Sequence, residues 1–314
     1  MQAVKAALHP VTAAYLRHVP LSPGKCLVWR KLGQRLVRPG MAFETRTRYG
    51  HRFSGHTGDM IGRTIYFTGV WEPNLSAYLQ QTLRPGDGFI DVGANHGWFA
   101  LLAAGCVGPA GTVVAVEASK DAFDYLQRHV ERNGAHTVRC IHAAATAEEG
   151  ERVSLPGPIG NQGMARVAEV GAGAGQGAET GNHRAAIVRA APLDTLLTDR
   201  EIREARFVKI DVEGGEWHVL QGMSRLFREG RDDLEVMVEL SPRLSAREGA
   251  PAARMLSFMA GLGFYPYRVE NEYGVGVVAQ SRTPRPPERF RGEVHKQIDL
   301  VFSRRDVERL GASL

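Results

Sequence analysis

Short apolar segments alternate with amphipathic segments along most of the chain after residue 87. The apolar segments are rich in β-branched residues, which predicts buried strands at 89–92, 112–116, 138–142, 207–210 and 234–240. The amphipathic segments are polar on one face, which predicts helices at 121–133, 216–227 and 251–262, and the apolar segment 98–106 after a glycine turn is a further predicted helix. Apolar strands that alternate with helices indicate an α/β fold whose sheet is mostly parallel and covered on both sides.

The last third of the chain supplies candidates for the remaining strands. Apolar segments at 264–269, 274–278 and 298–302 follow the last predicted helix. With them we predict a doubly wound, mostly parallel, seven-stranded sheet with an antiparallel edge strand.

The first 83 residues follow a different pattern. Apolar residues recur at helical spacing from Val4 to Leu16, with an interruption at Pro10. Short segments at 43–47 and 64–67, bounded by glycines, predict strands. Glu72 and Pro73 then open a predicted helix, because proline suits the first helical turn and an acid suits the positive end of the helix dipole.

A glycine- and alanine-rich segment at 169–183 breaks the alternation. Together with 157–163 it makes a long insertion, at about 157–185, between the third and fourth predicted strands. Insertions of this length are usually lids over a site or disordered linkers, and the composition is compatible with both.

The composition is that of an ordinary globular protein, with 43% hydrophobic and 23% charged residues among 314. Cys26, Cys106 and Cys140 are far apart, which argues against a disulfide framework and a cysteine-ligated zinc site. The sequence has neither an apolar signal-peptide core nor an apolar run of about 18 residues, so we expect a cytoplasmic protein without a membrane span. The net charge of +5 is diffuse, and a solvated surface or an anionic partner could account for it.

The most informative segment is a glycine turn between the strand at 89–92 and the helix at 98–106. A dinucleotide-binding turn requires G-x-G-x-x-G, and this chain places Asn95 and Trp98 at the second and third glycine positions. The remaining pattern is D-x-G-x-x-x-G, formed by Asp91, Gly93 and Gly97. A bulkier turn suits a cofactor with no phosphate and a cationic centre, and S-adenosyl-L-methionine (SAM) is such a cofactor.

Acidic residues follow two other predicted strands. Glu117 ends the second strand, beside the glycine turn, where a carboxylate can accept hydrogen bonds from both ribose hydroxyls; capping of the next helix is the alternative. Asp211 and Glu213 follow the strand at 207–210, at the sheet edge where ligands bind. This pair can steady a sulfonium ion, and one member can accept the proton of an attacking hydroxyl; for each residue alone, capping of the next helix is the alternative.

These residues resemble the FkbM family of SAM-dependent methyltransferases. The resemblance covers about residues 60–303, and its most specific element is K-I-D-V-E-G-x-E at 209–216. It implies a Rossmann-like methyltransferase domain at 61–314, preceded by an N-terminal extension at 1–60. It also implies O-methylation of a sugar, glycolipid or polyketide-type natural product as the activity.

The resemblance also implies roles for the site residues. Gly93, Asn95 and Gly97 would line the methionine side of SAM, and Glu117 would bind the ribose. Glu72 would lie near the amino acid end of the cofactor, with Asp211 and Glu213 facing the methyl group. His96 and Trp98 are bulkier than the family pattern, which leaves the role of His96 open.

Transfer of a methyl group to a hydroxyl requires alignment and removal of a proton. Our leading candidate for the base is Asp211, and the second is His96, because imidazole titrates near neutrality. A metal-assisted variant would use Asp211, Glu213 and Glu239 as oxygen ligands for Mg²⁺.

Three other aspects of function stay open at this level. A nucleic-acid methyltransferase would explain the basic charge, although no aromatic and basic recognition module is evident. An NAD-dependent oxidoreductase is a further alternative, because such enzymes also carry an acid at the position of Glu117. The expected partner is a small-molecule or glycan acceptor, and the N-terminal segment is a candidate homodimer contact.

Overall fold

The computed structural model describes residues 2–19, 24–33, 40–155, 166–169, 179–180, 183–184, 186–242, 251–271, 273–279 and 283–311. Its strands are β1 (Ala42–Arg46), β2 (Arg52–His56), β3 (Gly88–Val92), β4 (Thr112–Glu117), β5 (Val138–His142), β6 (Ala144–Thr146), β7 (Gly150–Leu155), β8 (Arg166–Glu169), β9 (Glu179–Thr180), β10 (His183–Arg184), β11 (Ala186–Pro192), β12 (Ala205–Ile210), β13 (Glu235–Leu240), β14 (Tyr265–Val269), β15 (Glu288–Arg289) and β16 (Ile298–Ser303). Its helices are α1 (Gln2–His18), α2 (Lys25–Val28), α3 (Met60–Thr68), α4 (Pro73–Thr82), α5 (Trp98–Val107), α6 (Lys120–Arg132), α7 (Leu193–Leu196), α8 (Asp199–Glu204), α9 (Glu216–Gln221), α10 (Ser224–Glu229), α11 (Ala252–Gly261) and α12 (Val275–Val278), with a π-helical turn at Trp29–Gly33.

The central sheet confirms the predicted α/β, Rossmann-like fold class. Its strand order is β15-β14-β16-β13-β12-β3-β4-β5. Five neighbouring strands of this sheet are parallel: β5, β4, β3, β12 and β13. The chain winds outward from β3, first to β4 and β5 and later to β12 and β13. The antiparallel strand β16 lies between β13 and β14, and the two-residue β15 adds an eighth strand at the edge, antiparallel to β14.

Alternate residues of each central strand face opposite sides of the sheet. Phe89 packs in one apolar cluster with residues of α3 to α6, whereas Ile90 and Val92 pack in a second cluster with residues of α8 to α11. β3 is buried at every position, including Asp91, which stands among its apolar residues. Because these strands are parallel, the polar residues at their carboxyl ends lie along one edge of the sheet.

Two predicted strands are helices instead, and both predictions were wrong. The segment 64–67 lies within α3, which begins at the Asp59 cap, whose carboxylate accepts a hydrogen bond from the Gly62 amide. Residues 64–68 are all buried, so no polar face marks the helical period. The segment 274–278 contains α12, where Val275 and Val278 are buried and Val277 is 49% exposed.

Two helix predictions also needed correction. α1 continues through Pro10 without the predicted interruption. The helix predicted at 216–227 is split into α9 and α10. The Asp194 carboxylate accepts hydrogen bonds from the Arg225 and Leu226 amides, which gives α10 a start of its own.

The segment between β5 and β12 builds a second sheet with the strand order β6-β11-β7-β8. Most of the predicted lid or linker at 169–183 lies outside the described residues. Within it the structure describes Glu169, the strand β9 and His183, the first residue of β10. None of the helices within the described ranges combines the length and apolar character that crossing a bilayer requires.

Candidate active site

A cavity of about 940 Å³ opens at the carboxyl ends of β3, β12 and β13 and extends toward the segment before β16. Of the residues singled out from the sequence, those that line it are Glu72, Gly93, Asn95, His96, Trp98, Asp211, Glu213 and Glu239. Asp91, Gly97 and Glu117 are not among the lining residues. The cavity therefore joins the turn to the acidic residues that follow β12 and β13.

The glycine turn passes close to the backbone that follows β12. Gly93 has a φ of 80°, and a Cβ atom there would lie 1.9 Å from the carbonyl oxygen of Asp211. The Gly93 and Ala94 amides both donate to the Val116 carbonyl, at 2.9 and 3.0 Å. Only glycine fits this position, because both the conformation and the space exclude a side chain.

Glu117 connects the glycine turn to the end of β4. Its carboxylate accepts hydrogen bonds from the Asn95 amide and the Ser119 amide, both at 2.7 Å. The cap of α6 is Ser119, whose hydroxyl accepts from Ala122, so Glu117 does not have the alternative capping role. Burial raises the pKa of Glu117 to about 7, although the two amide donors oppose this shift.

His96 is packed among aromatic rings at the cavity wall. Its ring lies 4.5 Å from the ring of Tyr125, and the residue is 6% exposed. Burial, and secondarily the charge of Arg128, lowers the pKa of His96 to about 4. The imidazole is thus neutral at pH 7, and this low basicity weakens the argument for His96 as the base.

Lys209 is the central cation of the site. Its Nζ lies 3.0 Å from Oδ2 of Asp211 and 3.9 Å from Oδ1 of Asp91, and the residue is 2% exposed. Lys209 pairs with Asp91 in the β3–β12 register, and Asp211, two residues later, shares its side of the sheet. Burial lowers the pKa of Lys209, but Asp211, Asp91 and Glu72 together raise it above its ordinary value.

Asp211, Glu213 and Glu239 converge in the cavity, and an oxygen from each lies within 4.8 Å of the others. Burial, then the charge of Asp211, raises the pKa of Glu213 to about 8. Burial also raises the pKa of Glu239 well above its usual range, and Gln297 donates a hydrogen bond of 2.6 Å to it.

Glu72 and Asp299 extend this acidic region, and Asn271 links them. The Asn271 amide donates to Glu72 at 2.9 Å and to Asp299 at 2.7 Å. Burial, and then the charge of Asp299, raises the pKa of Glu72 well above its usual range. Glu72 occupies the cap position of α4, but its side chain makes no capping bond there. The Glu72 carboxylate instead lines the cavity, where it accepts the hydrogen bond from Asn271.

Lys209, Asn271 and Asp299 were given no role from the sequence. The alternation of strand residues could have revealed Lys209 and Asp299. Each is a charged residue in an apolar strand, at a position where the two-residue period predicts a buried side chain. Asn271 lies in a loop, where no periodicity exists. The buried acids outnumber Lys209, so the interior of the cavity favours a positively charged ligand such as a sulfonium.

Residues 91–266, more than half of the chain, match the family model described as the methyltransferase FkbM domain. The hexuronic acid methyltransferase AglP of Haloferax volcanii is 27% identical over 196 residues, which cover 62% of this chain and 73% of AglP.

Two solved structures are more distant. The precorrin-6y C5,15-methyltransferase of Geobacter metallireducens is 12% identical, with a TM-score of 0.38 and coverage of 73% of this chain and 85% of that one. A Streptococcus mutans methyltransferase in complex with SAH is 10% identical, with a TM-score of 0.41 and coverage of 75% and 96%. The extent of the family match decides the assignment: the chain belongs to the family of methyltransferases that carry the FkbM domain.

Proposed function

We propose that this chain transfers the methyl group of SAM to a hydroxyl of a sugar, glycolipid or polyketide-type natural product. The observation that carries the proposal is the juxtaposition of the glycine turn with Asp211, Glu213 and Glu239 in one cavity. The similarity to a hexuronic acid methyltransferase favours a sugar within this group of acceptors.

The residues of the cavity fit SAM. In this proposal Gly93 and Asn95 line the methionine side of SAM, and Glu72 lies toward its amino acid end. Gly97 and Glu117 adjoin the cavity without lining it; Glu117 is 8% exposed, accepts a hydrogen bond from the Asn95 amide and would reach the ribose hydroxyls beside it. The acidic interior offsets the positive charge of the sulfonium. A cavity of about 940 Å³ has room for a cofactor and part of an acceptor.

In the reaction, the acceptor oxygen attacks the methyl carbon as the S–CH₃ bond breaks. The products are the methyl ether, S-adenosylhomocysteine (SAH) and one proton. Asp211 accepts the proton in this proposal, because its side chain is 25% exposed and lines the cavity beside Lys209. Lys209 holds the carboxylate in place through the bond to Oδ2.

The direct test measures binding and product separately. Calorimetry of the full chain should detect SAH binding and no NAD binding. Incubation with SAM carrying a labelled methyl group should then label a member of a panel of uronic acids, neutral glycans, glycolipids and polyketides. Binding of NAD instead of SAH would contradict the cofactor assignment, and label in RNA alone would contradict the acceptor class.

SAH affinity is expected to fall about tenfold between pH 8 and pH 6, because Glu117 titrates near pH 7 and its ionised form accepts both ribose hydroxyls. Protonation replaces one acceptor with a donor, so binding is strong above the pKa and weakens below it. Calorimetry across this range tests the expectation.

The Glu117→Gln variant should bind SAH weakly at pH 8 and show a nearly flat pH profile. Glu216→Gln is the matched control, because burial also raises the pKa of Glu216 to about 7, but its carboxylate accepts a hydrogen bond from the Gly214 amide, whereas that of Glu117 accepts one from Asn95 of the glycine turn. A steep profile that persists in Glu117→Gln would contradict the ribose role.

A further inference from the structure

Three acids reach one point of the cavity from two segments of the chain. Asp211 follows β12, Glu213 lies two residues later in a turn with a φ of 55°, and Glu239 lies near the end of β13. The parallel register of β12 and β13 pairs Ile210 with Val238, which places Asp211 beside Glu239. The resulting oxygens lie within 4.8 Å of one another.

A second observation concerns the neighbouring strand β16. Asp299 is 5% exposed, lines the same cavity and pairs directly with Glu239 in the β13–β16 register. Its Oδ2 accepts hydrogen bonds from Asn271 and Tyr273, but its Oδ1 is buried with no hydrogen-bond partner among the described residues. A buried carboxylate oxygen without a donor is costly unless a ligand compensates it.

The protein supplies little positive charge to this group. Within the described residues, Lys209 is paired with Asp211 and Asp91. Glu213 has no ion pair with a basic side chain there, and Glu239 receives only the neutral amide of Gln297. Three carboxylates in such close contact repel each other strongly unless protons or a cation offset their charge.

We propose that Asp211, Glu213 and Glu239 bind one hard divalent cation of the Mg²⁺ or Mn²⁺ type, on the acceptor side of the cavity. Carboxylate oxygens are the ligands these ions prefer, and such ions usually keep several coordination positions for water or substrate. Asp299, behind Glu239, adds negative charge to the site. The proposal rests on the proposed function and names how the hydroxyl is activated.

The cation would bind the acceptor hydroxyl and make its proton more acidic, as a Lewis acid does. The O–H bond releases its proton to a neighbouring carboxylate or water, the oxygen forms the new bond to the methyl carbon, and SAH leaves with the electron pair of the S–CH₃ bond. No oxidant or reductant is needed. The metal ion and the sulfonium would together offset the negative charge of the acidic cluster.

Binding of Mn²⁺ to the full chain, stripped of metal beforehand, tests the proposal by electron paramagnetic resonance. We expect one bound Mn²⁺ per chain, with and without SAH. Glu239→Gln and Glu213→Gln should each weaken this affinity at least tenfold, while SAH affinity changes less than threefold. Far-UV circular dichroism and SAH binding verify that each variant is folded.

Glu270→Gln is the matched control. Glu270 lines the same cavity and loses the same charge, but it forms ion pairs with Arg268 and Arg285. Mn²⁺ affinity should stay within twofold in this variant. SAH binding without saturable Mn²⁺ binding, or equal Mn²⁺ affinity in Glu239→Gln and Glu270→Gln, would overturn the metal site and leave the proposed function intact. Absence of SAH binding would instead contradict the proposed function.

Discussion

Replacing Asp211 with asparagine is expected to lower kcat by about 10² to 10⁴-fold, the usual effect of removing a group that assists proton transfer. The loss has the same direction whether the carboxylate accepts the proton itself or holds a cation that acidifies the hydroxyl. SAH affinity should change only a few-fold, because asparagine is nearly isosteric and its amide oxygen can accept the bond from Lys209.

Single-turnover methyl transfer, compared with SAH calorimetry on the same preparation, separates these two effects. Asp232→Asn is the control for loss of charge, because Asp232 is exposed in the turn before β13 and does not line the cavity. Full turnover in Asp211→Asn, with an acceptor identified, would remove Asp211 from the chemistry. Loss of SAH binding in that variant would assign it to cofactor binding instead.

Replacing Gly93 with alanine is expected to destabilise the protein by about 4 kcal/mol or more, in the range reserved for severe steric effects. The new Cβ would lie 1.9 Å from the Asp211 carbonyl oxygen, so the backbone of the turn or of the segment after β12 must move. Such a movement also displaces Asn95 and Asp211 relative to each other. SAH binding should therefore be lost even at temperatures where the variant is folded.

Gly263→Ala is the matched control for the Gly93 variant. Gly263 has a φ of 81°, almost equal to the 80° of Gly93, but no atom lies within 4 Å of its added Cβ. It should lose only about 1–2 kcal/mol, the cost of the left-handed conformation for alanine. Urea unfolding of both variants measures the difference. Equal losses would mean that the turn relaxes without cost and that the close approach is unimportant.

The elements around the glycine turn were predictable because their signals are local. β3 is buried at all positions and is apolar apart from Asp91, and α5 begins where the glycines end. The failures have the opposite cause. α3 is buried on nearly every side, so its sequence has no polar face, and its aromatic and β-branched residues imitate a strand. Val275–Val278 imitates a strand because three of its four residues are valine, which is β-branched.

The candidate site divides in a similar way. Asp211 and Glu213 were identified because they end a predicted parallel strand, and the carboxyl ends of such strands meet at one edge. The contribution of Lys209 depends on its register with Asp91 and on the burial of both side chains. Asp299 could not be placed from sequence, because its position depends on β16 inserting antiparallel between β13 and β14.

The sequence by itself determined the strand–turn–helix unit at 88–107, the acids that end β4 and β12, and the family resemblance that implied SAM. These features depend on backbone conformation and on the period of burial, which are set by residues only a few positions apart in the sequence. Only the tertiary structure decided that Asp211, Glu213 and Glu239 share one point of the cavity and that Glu72 and Asp299 join through Asn271. These contacts connect residues as far as 199 positions apart, so strand register and packing, rather than any local pattern, create them.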